Sequence, residues 1–434
     1  MSIPLDRLYH FIEHVIEKLR GDPVIIYRFY PYGSKNIEDL NWLDNKIYSW
    51  EERNKSLCVY CHDQEPLDYE FYSKNLRNHM ICPWLKLLIS IGQYKKPTNL
   101  NWHTSNWFGK SLLVHSEKRS ANLDRYTLDN KLIPVYYWNH AVLALDWFRY
   151  ARYETFHKQP KKTFLIYNRA WSGSREYRLK FCDLVVDNDL INHCQISFNP
   201  VDPEDDTHYN NYTLKNTCWK VRNNLQNYIQ PTTANSSNSA DFNTQDYEQT
   251  NIEVVLETLF DDSRLHLTEK SLRPLACGQP FILAATHGSL EYLRSYGFKT
   301  FGHIWNEDYD LETDPSTRLH KIVGLMREIA DWEADVFESK MQAAQEIAHY
   351  NHQWFHSQDF FNLVVHELED NLRSALCELE SCNNYQPWFD RWNDLLAYPE
   401  VVEFLTANQD HSYPTLDRVD HLMKLAQLRL NQTL

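Results

Sequence analysis

The residues best spaced to do chemistry together lie in LHLTEKSLRPLACGQPFIL, Leu265–Leu283. Thr268, Glu269 and Lys270 stand where an apolar stretch ends and an amphipathic helical pattern begins. A helix N-terminus offers unpaired N–H groups and the positive end of the helix dipole, a combination that suits phosphate. At such a place Lys270 neutralises a diphosphate and Glu269 accepts hydrogen bonds from a ribose. The same letters also spell an ordinary capped surface helix, and spacing alone does not choose. Pro274 requires the regular helix to begin close to Ser271, because a deeper proline removes a backbone N–H from a formed turn.

Two other segments carry candidate groups. In SLCVYCHDQEPLDYE a strand, Leu57–Cys61, runs into His62, Asp63, Gln64, Glu65 and Pro66. Ligands bind at the carboxyl ends of strands in open α/β sheets. Glu65 and Asp63 are therefore read as candidate site residues, against the plain reading of a solvated turn stopped by proline. Cys58, Cys61 and His62 match the C-x-x-C-H haem-attachment pattern. On a strand, however, Cys58 and Cys61 point to opposite faces, so they are read as core and loop cysteines. In IPVYYWNHAVLALDWFRYARY, Ile133–Tyr153, the residues Trp138, Asn139 and His140 fall at a strand-to-helix turn. Aromatic faces stack on sugar rings and Asn or His bonds hydroxyls; core packing with a capping Asn or His is the competing reading. A loop with Trp305, Asp308 and Asp310 lacks calcium-loop spacing and reads as solvated or sugar-facing. No metal signature is seen, so a metal-independent chemistry is expected.

These groups need a scaffold. Short apolar runs predict strands at Val24–Phe29, Leu57–Cys61, Ser111–His115, Ile133–Tyr137, Thr163–Tyr167, Gln195–Phe198, Ile252–Leu256 and Pro280–Ala284. Helices are expected from Ala141 to about Tyr153 and from about Arg175 to Val186. Strand–helix alternation predicts parallel sheets covered on both faces, hence an α/β chain with two Rossmann-like domains. HKQPKK, His157–Lys162, breaks both patterns and places the hinge. The expected division is 1–157, 158–340 and a helical region 341–434. Thr232–Thr250 is nearly devoid of apolar residues and reads as a flexible loop, about 231–250. Ser289 is expected to cap a short helix ended by Gly297, and Asp314 to cap one opened by Pro315.

The bulk numbers bound the function. The chain has 434 residues, 10 Gly and no phosphate-binding glycine loop. Its net charge of −15 counts against a general nucleic-acid binder. No run approaches the about 18 apolar residues of a membrane span. The N-terminal amphipathic helix is no signal peptide, and nine scattered cysteines suggest reduced thiols in a cytosol.

The Thr268–Glu269–Lys270 segment resembles the donor-binding motif of α1,3-fucosyltransferase-like enzymes, the tenth glycosyltransferase family. FLIYNRAWSGSREYRLKFCDLV, Phe164–Val185, is similar to a second element of that family, in which a strand ends in Asn and an Arg follows. The match covers about Phe164–Leu293. The chain also resembles phage-encoded proteins of this type that share DQEPL and YWNHA, which places it in a host cytoplasm. The resemblance implies a GT-B architecture: two Rossmann-like domains facing a central cleft, with the donor in the C-terminal one. It further implies inverting transfer from a nucleotide sugar. Asn168, Thr268, Glu269 and Lys270 would then meet the donor. Arg178, with Arg175 as competitor, would meet its phosphate. Glu65 or Asp63 would act as base, and Trp138, Asn139 and His140 would face the acceptor. That acceptor is a glycan or a hydroxymethylated pyrimidine in DNA. The DNA version needs a basic, aromatic surface, for which Lys86, Lys95, Lys96, Lys158, Lys161, Lys162, Trp102 and Trp107 are available. The alternative is a non-enzymatic binding protein on a degenerate transferase scaffold.

Overall fold

In the computed structural model, residues 12, 14–19, 24–29, 37–39, 57–62, 65–70, 111–130, 132–154, 156–227 and 242–381 are described. They fall into two compact units. One is Trp138–Glu367 with the short segment Glu117–Ser120; the other takes the described residues of Asp6–Ser116, Ala121–Tyr137 and Leu368–Leu434. The longest stretch of the first of these units begins at Trp138.

The unit that holds the N-terminal strands has a sheet of order β2-β1-β3-β4-β5 among the described residues. Strands β1 (Val24–Phe29), β3 (Leu57–His62), β4 (Ser111–His115) and β5 (Leu132–Tyr136) are parallel, while β2 (Ile37–Asp39) pairs antiparallel with β1 at the edge. Val59–Cys61 and Leu112–Val114 are buried in unbroken runs, as strands covered on both faces must be, whereas on β5 Ile133 and Val135 are buried and Pro134 between them is exposed. The helix α1 (Leu123–Asn130) was not expected from the sequence. It is docked by polar and aromatic contacts: Asn122 donates to the Leu67 carbonyl, and Tyr126 meets Tyr69 edge-on at 5.1 Å.

The second unit carries an all-parallel sheet of order β7-β6-β8-β9, made of β6 (Lys162–Asn168), β7 (Cys194–Phe198), β8 (Thr250–Leu256) and β9 (Phe281–Ala284). The chain steps from β6 to β7 on one side, then crosses back to β8 on the other. The order thus reverses between β6 and β8, the point at whose carboxyl end such sheets bind ligands. The helices of this unit are α2 (Asn139–Trp147), α3 (Tyr177–Asp187), α4 (Thr244–Glu248), α5 (Glu269–Cys277), α6 (Ser289–Ser295), α7 (Pro315–Ala330) and α8 (Ala334–Phe355), with the first part of α9 (Gln358–Ser381). Among the described residues the chain is α/β with two largely parallel sheets.

Three expectations change. The end of the polar stretch Thr232–Thr250 is not loop: α4 occupies Thr244–Glu248, capped by Asn243, and Thr250 opens β8. Tyr247 drives this, being fully buried with its hydroxyl donated to Glu253 at 2.5 Å. Residues 231–241, like 382–434, lie outside the described residues. Ser289 is the first residue of α6 rather than its cap; Gly288, at φ 81°, precedes it. The loop of Trp305, Asp308 and Asp310 is solvated only in part: Asp308 is exposed, but Trp305 stacks on Phe301 at 4.8 Å and Asp310 is buried, accepting from the Leu290 N–H at 3.1 Å. Burial pushes the Asp310 carboxyl up to about 6. Asp314, by contrast, caps α7 as expected, accepting from the Thr317 N–H at 2.7 Å.

Between β7 and α4 the segment 199–227 has no strand, and buried carboxylates hold it by its backbone. Asp202 accepts from the N–H groups of Trp171, Ser172 and Glu204. Glu176 accepts from those of Lys215 and Asn216, and Asp183 from those of Arg222 and Asn223. Burial works against the charge on Asp183, but Lys180 and the two amides outweigh it and hold the carboxyl below its ordinary value. A depressed native value means stability that is present above the unfolded value of about 4 and lost as pH falls through the native one. Asp183→Asn should therefore lower stability by about 2 kcal/mol near pH 7 and much less near pH 3. Urea denaturation at the two pH values measures this.

Candidate functional site

The site is built from the end of β8 upward. Glu257, the residue after β8, is fully buried. Its Oε1 accepts from the N–H groups of Thr268 (3.0 Å) and Ser271 (3.2 Å) and from the Ser271 hydroxyl (2.5 Å). Its Oε2 accepts from the Thr268 hydroxyl (2.8 Å) and the Thr258 N–H (3.0 Å). One carboxylate therefore gathers the first turn of α5. Thr268 caps that turn, its Oγ1 accepting from the Lys270 N–H at 3.4 Å and from Lys270 Nζ at 3.2 Å. The C-terminus closes on Gly278 at φ 65°, with the Gln279 N–H reaching the Pro274 carbonyl at 2.9 Å. The helix starts at Glu269, two residues before the start that Pro274 suggests; the Glu257 bonds supply the early turn in compensation.

Glu269 is the first residue of α5 and is 4% exposed. Lys270 Nζ donates to its Oε1 at 2.8 Å, and His140 Nδ1 lies 3.3 Å from its Oε2. Burial works to raise the Glu269 pKa, but the Lys270 ammonium and the His140 ring outweigh it and hold the carboxyl well below the usual range. Glu269 is thus an ionised, nearly enclosed carboxylate between two nitrogen groups. His266, 2% exposed, meets the His140 ring edge-on at 5.2 Å. The loop that carries His266 is anchored at its neighbours: Leu265 pairs its backbone with Arg119, and the Trp138 indole N–H donates to the Leu267 carbonyl at 3.0 Å. Trp138 is itself fully buried among Tyr292, Tyr296 and Phe360. It is a packing anchor and offers no face to a sugar. Asn139 is likewise buried, and His140 belongs with Glu269 rather than in a separate acceptor cluster.

The expected phosphate groups are placed differently. Arg178 is 2% exposed and turns inward. Its Nη1 donates to the Ala170 carbonyl at 2.6 Å and its Nη2 to those of Leu256 (2.8 Å) and Glu257 (2.9 Å). It stitches the carboxyl end of β8 to the loop after β6, across the point where the strand order reverses. Asn168 is also buried, donating to the Arg178 carbonyl at 3.3 Å. Arg175 lies nearer the surface and pairs with Glu204. Lys158 Nζ is committed to the Tyr247 carbonyl at 2.7 Å and to Gln279, and Lys162 Nζ to the Asn192 carbonyl at 2.6 Å. Glu65 is exposed in the loop after β3 and belongs to the other unit. Asp63, Lys86, Lys95, Lys96, Trp102 and Trp107 lie outside the described residues.

The brought-together set is therefore Thr268, Glu269, Lys270 and His140, with His266 and Glu257 missed by sequence reasoning. Glu257 could have been found: hydrogen-bond donors at Thr268 and Ser271, three residues apart at a helix start, ask for an acceptor, and the strand IEVVLE ends in one. His266 had no such signal. Among the described residues, no group of three or more His, Cys, Asp and Glu is set to hold a metal ion, and no helix is long and apolar enough to cross a membrane. Comparison with known protein families, curated proteins and solved structures finds no match for this chain.

Because Arg178 is buried and donates to three carbonyls, Arg178→Leu should lower stability. A loss of about 3 kcal/mol in chemical denaturation is expected, from stranded carbonyls and a cavity.

Proposed function

We propose that the protein is an inverting glycosyltransferase that takes a sugar from a nucleotide-sugar donor, with its donor site at the start of α5. The observation that carries this reading is the Glu269–Lys270 pair, held at a loop-to-helix junction beside the carboxyl end of a parallel sheet whose strand order reverses. The ammonium suits a diphosphate, and the carboxylate suits the hydroxyls of a ribose. The architecture proposed is that of GT-B enzymes, with the donor in the unit Trp138–Glu367.

In the proposed reaction the acceptor hydroxyl gives its proton to a carboxylate base and its oxygen bonds to the anomeric carbon. The bond from that carbon to the diphosphate oxygen breaks, and the diphosphate leaves with the electron pair. Lys270 lowers the cost of that departing charge. Glu65, exposed in the loop after β3, is the preferred base, with Asp63 as alternative. The acceptor is a glycan or a hydroxymethylated pyrimidine in DNA.

A second reading has an observation in its favour. Arg178 is committed to carbonyls, and Glu257 already occupies the Ser271 N–H at the start of α5. A scaffold that binds but does not transfer would tolerate both.

Thermal denaturation against a panel of nucleoside diphosphates and nucleotide sugars separates the readings from an unrelated function. One donor at 100 times its Kd should stabilise the protein by about 2.7 kcal/mol, and Glu269→Ala should remove the effect. Stabilisation by none of the panel would sink the donor site. For catalysis, Glu65→Gln should abolish turnover while leaving donor stabilisation in place; unchanged turnover would remove Glu65 as base.

A further inference from the structure

His140 reaches the site from α2, whereas Glu269 and Lys270 come from α5, so the pair joins two helices. The ring is 5% exposed and, among the described residues, meets Glu269 from α5 and His266 from the loop before it, while Lys270 pairs with the same Glu269. Its chain neighbours, Asn139 and Ala141, carry no charge. Among the described residues, Lys270 balances the charge of Glu269. Protonation of His140 leaves the cluster with a net positive charge, enclosed where solvent screens it little. An anion arriving at Lys270 therefore meets a neutral cluster or a cationic one, according to the state of one imidazole.

We propose that His140 is a positioning residue of this site: its Nδ1 holds the Glu269 carboxylate, and the charge on its ring couples binding of an anionic, diphosphate-bearing ligand to proton uptake. Resting on the donor-site reading above, the inference adds that ligand affinity rises as pH falls through the titration of His140. His266 meets that ring edge-on, so the two imidazoles do not both charge at little cost, and one proton governs the change. Binding then takes up a proton, as linkage requires.

The test uses the full chain with pyrophosphate and with the best-binding nucleoside diphosphate as probes. Affinity is measured calorimetrically at pH 6 and pH 8 in two buffers of different ionisation heat. Wild-type protein should bind about tenfold more tightly at pH 6 with proton uptake, a coupling of ordinary size. His140→Asn keeps an amide donor near the Nδ1 position but cannot charge. It should still bind, with affinity changing less than twofold between the two pH values. A second measurement needs no ligand: the His140 ring titration followed by NMR, assigned from its loss in His140→Asn, should shift downward in Glu269→Gln. Wild-type affinity that is the same at both pH values, or a His140 titration indifferent to Glu269→Gln, overturns the inference while leaving the donor site standing. Absence of diphosphate binding by wild-type protein at either pH overturns the donor-site reading and this inference with it.

Discussion

A carboxylate with no exposure to water is tolerable only when its lone pairs are matched, and the matching of Glu257 decides the geometry of the site. Five donors converge on its two oxygens, four of them from Thr268 and Ser271. This both satisfies the acid and tells α5 where to begin. The main chain of the same residue is used as well, its carbonyl accepting from Tyr177 at 2.7 Å and from Arg178. Residue 257 is thus where the end of β8, the start of α3 and the start of α5 are tied together. Glu269 and Lys270 inherit their places from that knot.

A second buried acid fixes the other side of α5. Glu253, on β8 and also without exposure, accepts from Arg273 Nη2 at 2.6 Å and from the Tyr247 hydroxyl. Positions 253 and 257 are four apart on an extended chain, so both side chains point to one face of the sheet, and both meet α5 there. A helix gripped by two buried carboxylates has little freedom to shift. Lys270, with its side chain 17% exposed, is the group in the cluster best able to move toward a ligand.

The same principle, charged groups turned inward onto backbone, recurs beyond α5. Asp183 and Glu176 hold the strandless segment 199–227 by its amides, Asp202 of that segment holds the amides of Trp171 and Ser172 in return, and Arg318 reaches the carbonyls of Glu312 and Phe260. In this unit several charges that look like surface solubility in the sequence are internal fasteners. That is why Arg178 and Lys158, attractive as phosphate contacts, prove committed to carbonyls.

The amino-acid sequence by itself determined the local elements. Apolar runs placed eight of the nine described strands within a residue or two and missed the short edge strand β2, and Asp314–Pro315 placed the start of α7 through capping chemistry that acts over three residues. It also determined that Thr268, Glu269 and Lys270 stand at a helix start. Tertiary structure alone decided which side chains meet. His140 and Glu269 are separated by 129 positions and share no local pattern, yet lie 3.3 Å apart. Arg178 and Arg175 have the same chemistry three residues apart, and only packing turned one into the core and left the other near the surface. Periodicity reports the environment of a residue along its own element. The partner of a buried charge is set by how distant elements close around it, and the stretch from β8 to α5 leaves no periodic trace of that closure.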